Sequence, residues 1–163
     1  MGKTGRGDVF LVEPFVQFIV LEAKLFSKFS GGTTRAPGFN QAARNIACMA
    51  NVAARSSCSI KDFKSLGFYL LAPEAQIKGE PSFTEFMQKE SVYQNVLSRV
   101  ESYKERSDYP EKRKWFEDYF EPLFSKIDLL LISWEELIEN IKRYDNRTGQ
   151  ELRRFYFRCL DFN

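Results

Sequence analysis

VQFIVLEAKLFS, Val16 to Ser27, decides how the rest of the chain is read. It is an apolar, β-branched and aromatic run that ends in Glu22-Ala23-Lys24. Such a run predicts a buried strand. Residues two apart in a strand point to one face, so Val20, Glu22 and Lys24 share a side. Two opposite charges therefore project together where the strand leaves the core. Burying such a pair tends to cost more than the pairing returns. The pair is a salt bridge at a strand end, or a metal ligand beside a catalytic lysine.

Working outward, Asp8 opens the short apolar run Val9-Phe10-Leu11-Val12, and Glu13-Pro14 interrupts it. Proline cannot donate to a sheet ladder and favours a turn. So short a link between two strands predicts an antiparallel hairpin. Asp8 begins its first strand and Glu22 ends its second, which puts both at one end of the sheet. Two carboxylates close together repel unless a proton or a cation sits between them.

On the other side, Ser30 to Gly38 reads as a glycine-rich loop carrying Arg35, followed by a helix from about Asn40 to Arg55. Asn40 is the expected N-cap. Gln41 and Arg44 are three apart and share a helix face. From Glu22 to Lys64 the cations are Lys24, Lys28, Arg35, Arg44, Arg55, Lys61 and Lys64, against Glu22 and Asp62 alone. A locally basic face is the footprint of a phosphate-bearing partner, or a solvated helix face whose acids lie elsewhere in space.

Gly67 to Ala72 predicts a third strand, closed by Pro73, and Ile127 to Ile132 a fourth. Ser82-Phe83-Thr84-Glu85 has the form of a capping box opening a helix to about Arg106. A second amphipathic helix carries Trp115, Phe116, Tyr119 and Phe120, read as core. Ser133 to Glu136 has the capping-box form again, opening a helix to about Tyr144. A basic-aromatic helix at about Glu151 to Leu160 closes the chain. The pattern predicts one α/β domain, a mixed central sheet flanked by helices, with a helical insertion at about Ser82 to Pro122.

Composition narrows the chemistry. The chain has 163 residues, 28% charged, with a net charge of +2. It holds no histidine, which excludes a Ser-His-Asp triad, an imidazole base and any histidine-containing zinc site. Cys48, Cys58 and Cys159 have no zinc-like spacing, and Cys48 is expected in the core of its helix. Their odd number fits a reducing, cytoplasmic setting. No run is long enough to span a membrane.

Asp8, Glu22-Ala23-Lys24 and the early helical Gln41 together resemble the PD-(D/E)xK nuclease superfamily, whose fold is restriction-endonuclease-like. The apolar strand followed by Ser133-Trp134-Glu135-Glu136-Leu137 looks like the late strand and helix of bacterial members. The likeness covers about Asp8 to Ala72 well and Ile127 to Tyr144 more loosely. It implies a metal-dependent nuclease acting on DNA. Asp8, Glu22 and the Ala23 carbonyl would bind Mg²⁺, or Mn²⁺ in its place. Lys24 would position or deprotonate the attacking water, and Gln41 would support the site. Lys28, Arg35 and Arg44 would contact nucleic acid. The superfamily has a further helix and edge strand before its Asp strand, whereas Met1 to Gly7 alone precede Asp8 here. An open edge of that kind implies a homodimer. A nuclease-fold module that binds nucleic acid or protein without cutting is the alternative.

Overall fold

In a computed structural model, residues 11, 16–56 and 59–162 are described. Their sheet has three strands, β1 (Gln17–Ala23), β2 (Ser65–Ala72) and β3 (Asp128–Ser133), in the order β1-β2-β3. Both pairings are parallel. The chain is α/β, as expected, and the described strands are all parallel. The antiparallel strand expected at Val9 to Val12 falls outside the described residues, apart from Leu11, which packs against the core.

β1 alternates as its sequence requires. Phe18, Val20 and Glu22 point inward, and Gln17, Ile19, Leu21 and Ala23 outward. The register sets Val20 beside Phe68 and Leu129, and Glu22 beside Leu70 and Leu131. Glu22 thus ends an otherwise apolar row on the core face. α1 (Gln41–Arg55) connects β1 to β2. Asn40 caps it as expected, its side chain accepting from the Ala43 amide at 2.9 Å. Ala42, Ala43, Ile46, Met49, Ala50 and Ala53 are all buried, and their small side chains give a close-fitting inner surface. Cys48 is exposed, which corrects its expected place in the core. It lies two residues past Ile46, and about 200° around a helix is the solvent side.

The segment between β2 and β3 is helical but more divided than its periodicity indicates. α2 (Glu74–Gly79) comes first, and α3 (Ser82–Phe86) and α4 (Lys89–Glu101) replace the one long helix expected from Ser82. Extended backbone at Gln88 separates the last two. The helices on either side of the break bury apolar side chains in the same core. Phe83 and Phe86 pack on Phe29, with ring centroids 5.7 and 6.0 Å away. α4 buries Val92, Val96 and Val100. The Ser82 cap does not form, because the turn already begins at Pro81 and its carbonyl takes the Glu85 amide at 2.9 Å.

α5 (Tyr109–Trp115) runs through a wide π turn, Phe116–Phe120, into α6 (Glu121–Lys126). Pro122 is the second residue after that turn. Proline has no amide to donate and crowds the carbonyl four residues back, which an extra residue in the turn relieves. The result stacks Phe116 on Phe120 at 5.0 Å and Phe120 on Phe124 at 5.2 Å. Phe116 and Phe120 are fully buried as expected, while Tyr119 is exposed.

α7 (Trp134–Tyr144) and α8 (Asn146–Leu160) form a helical hairpin. Ser133 caps α7 through the Glu136 amide at 3.0 Å. Asp145 both ends α7 and caps α8, so the expected loop from Asp145 to Gly149 is a single junction residue and α8 starts five residues early. Gly149 is buried there. A Cβ on it would lie 2.7 Å from the backbone nitrogen of Lys142, so glycine permits this close helix approach.

Candidate active site

Parallel strands end together, so Ala23, Ala72 and Ser133 reach one edge of the sheet. Ligand sites of open α/β sheets form at such carboxyl ends. Glu22 and Lys24 meet there, with Lys24 Nζ 3.0 Å from Glu22 Oε1. Gln41, the first residue of α1, closes the pair into a ring. Its Nε2 donates to Glu22 Oε1 at 2.7 Å, and its Oε1 accepts from Lys24 Nζ at 3.1 Å. An amide side chain offers both a donor and an acceptor, so it can serve both charges at once. The Lys24 side chain is 10% exposed and that of Glu22 26%. Buried charges are tolerated only when paired and hydrogen-bonded, and the ring meets that requirement.

Backbone bonds hold the ring's members in place. The Gln41 amide donates to the Ser30 carbonyl at 2.8 Å, tying the start of α1 to the loop that follows β1. The Lys24 amide donates to the Leu71 carbonyl at 2.7 Å. Continuing the ladder, the Lys24 carbonyl would next accept from residue 73, but Pro73 has no N–H. Trp134 supplies the missing donor, its indole Nε1 reaching the Lys24 carbonyl at 2.8 Å. The first residue of α7 thus fixes the backbone of the site lysine.

Trp134 and Asn45 are the members that sequence reasoning missed. Asn45 Nδ2 sits 3.5 Å from Glu22 Oε2, and its one signal was its place one helical turn after Gln41. Arg44 shares a helix face with Gln41, and its Nη1 donates to the Phe39 carbonyl at 2.6 Å. Lys28 and Arg35 are exposed, with no ion pair among the described residues. Asp8 lies outside the described residues.

Among the described residues, no three His, Cys, Asp or Glu side chains come together as a metal site. The expected donors that are described fit a hard cation nevertheless. Among the described residues Glu22 Oε2 has only the long contact from Asn45, which leaves it able to accept. With the Lys24 amide directed at β2, the alternation of the ladder turns the Ala23 carbonyl to the outer edge of β1. A carboxylate oxygen and a backbone carbonyl are the donors that Mg²⁺ prefers.

Beside the ring lies a cavity of about 160 Å³ lined by Lys24, Leu25, Trp134, Leu152, Phe155 and Tyr156, among others. Tyr156 stacks on Trp134 with centroids 5.9 Å apart and donates to Glu135 Oε1 at 2.7 Å. Burial, then the bond to Glu135, push the Tyr156 hydroxyl well above the usual tyrosine range. Comparisons with protein-family models, with curated proteins and with solved structures each gave no match.

Proposed function

We propose that this protein is a metal-dependent nuclease of the PD-(D/E)xK type, hydrolysing phosphodiester bonds, with DNA as the first substrate to test. The observation that carries the reading is the Glu22–Lys24–Gln41 ring at the carboxyl edge of the sheet. The ring holds a lysine and a carboxylate oriented side by side. Such preorganised charge is what phosphoryl transfer requires of a protein. Glu22, the Ala23 carbonyl and Asp8 would hold Mg²⁺ or Mn²⁺, which when bound lowers the pKa of a water and offsets charge on the phosphate. Lys24 then orients that water or meets the charge that develops on the phosphate oxygens. Gln41 keeps the ammonium directed while the carboxylate is engaged. Trp134 keeps the lysine backbone from shifting.

Cleavage assays with Mg²⁺ and with Mn²⁺ on single-stranded DNA, duplex DNA and RNA test this. Cutting that depends on the metal and disappears in Glu22→Ala and Lys24→Ala supports the reading; cutting that survives both substitutions refutes it. The second reading is a binding module in which the ring is only structural, favoured by how fully Lys24 is enclosed. No metal binding in calorimetric titration, together with no cutting, selects it. The described sheet ends at β1, and pairing of two copies along that side is the oligomer to test by sedimentation. No helix among the described residues is long and apolar enough to cross a membrane.

A further inference from the structure

The C-terminal helix carries features that the ring does not explain. α8 holds Arg147, Arg153, Arg154 and Arg158 against the single acid Glu151. Arg147 is paired with Glu151, and Arg153 lies 4.0 Å from Glu139. Arg154 and Arg158 are exposed and have no ion pair among the described residues. They are four apart, so they stand one above the other on the outward side. Phe155 and Phe157 flank that ridge to either side and are 57% and 48% exposed. Leu152, Tyr156 and Cys159 on the opposite side line the cavity beside Lys24, and Phe155 lines it too. The aromatic edge of the ridge therefore opens directly onto the candidate active site.

We propose that α8 is a binding strip for single-stranded nucleic acid that leads to Lys24. Arg154 and Arg158 contact the phosphates, and Phe155 and Phe157 stack on the bases. Unpaired bases offer π faces to exposed aromatic side chains, while a duplex keeps those faces occupied. Two unpaired arginines between two exposed phenylalanines match a single strand on both counts. A helix of 15 residues is about 22 Å long, enough for a few nucleotides. The path from strip to ring rests on the nuclease reading; the binding itself does not.

The test is fluorescence anisotropy with the full chain in EDTA, which separates binding from cleavage. Probes are a labelled single-stranded DNA of about 16 nucleotides, the matching RNA, the duplex, and phosphatidylglycerol vesicles. Single strands are expected to bind at least about tenfold tighter than the duplex, with about tenfold loss in Phe155→Ala and in Phe157→Ala. Arg154→Ala/Arg158→Ala should weaken binding and reduce the salt slope by about 1.4. The two arginines are exposed and the two phenylalanines about half exposed, so melting temperatures should fall by no more than about 4 °C and separate lost binding from lost fold.

Equal affinity for duplex and single strand overturns the proposal, as does binding unaffected by the α8 substitutions. Vesicle binding that requires Phe155 and Phe157, without oligonucleotide binding, makes α8 a lipid-surface helix instead. If single strands bind α8 but are never cut, the nuclease reading falls and the strip stands. If cutting proceeds equally well in the α8 variants, the strip falls and the nuclease stands.

Discussion

Lys24→Met and Glu22→Gln should differ in their cost to stability, and the structure gives the direction. The Lys24 side chain is 10% exposed, so most of its ammonium's hydration is lost on folding. Methionine has similar length and no charge. The substitution removes that desolvation cost together with the 3.0 Å ion pair, and the two effects oppose each other. What remains is a carboxylate that is 26% exposed and still accepts from Gln41 at 2.7 Å. The net change should lie within about 1 kcal/mol of zero. Glu22→Gln does the reverse. It leaves an enclosed ammonium with no opposite charge among the described residues, its partners being the neutral amide oxygens at position 22 and of Gln41, the latter at 3.1 Å. Breaking a buried pair in this way costs about 3 kcal/mol. For a chain of this size that is a drop in melting temperature of about 6–12 °C. Urea denaturation and calorimetry of both variants measure the difference. Activity should fall by about 10² or more in Lys24→Met despite its normal stability. A Lys24→Met variant as unstable as Glu22→Gln would show that the ammonium supports the fold, and the argument for a catalytic lysine would be lost. A stable and fully active Lys24→Met would refute it from the other side.

Trp134→Phe keeps the ring stacked on Tyr156 but leaves the Lys24 carbonyl without a donor, because Pro73 cannot replace it; about 1–2 kcal/mol should be lost, with reduced cleavage. Gly149→Ala should push α7 and α8 apart and cost about 1–3 kcal/mol in chemical denaturation, since its Cβ would overlap Lys142. The Tyr156 hydroxyl is raised above its unfolded value, so the stability it contributes is complete below about pH 10 and is lost as pH rises through the folded value. Unfolding curves for wild type and Tyr156→Phe should therefore differ by a constant amount at neutral pH and converge above about pH 10; a difference that grows above about pH 10 would contradict the assigned cause.

Local pattern was enough for several elements. The apolar alternation of Val16 to Ala23 carries β1, and Asn40 with its run of small residues carries α1 and its cap. The same run of small residues misplaced Cys48, because hydrophobicity alone does not say which side of a helix meets the sheet. Glu22, Lys24 and Gln41 were legible as a group because two are in one strand and the third opens the helix that follows. The parallel arrangement of the described strands was not legible, since strand runs do not encode their partners. Nor was the division at Gln88, where the backbone turns extended between α3 and α4. The role of Trp134 was the least accessible. It is 110 residues from Lys24 in the chain. Proline at position 73 is visible in the sequence, but the carbonyl it leaves unpaired depends on strand register. Which indole lies close enough to donate depends on where β3 delivers α7. Sequence fixes donors, acceptors and apolar periodicity residue by residue; pairing across the sheet, and the few bonds that hold the site, are settled only when distant strands come together.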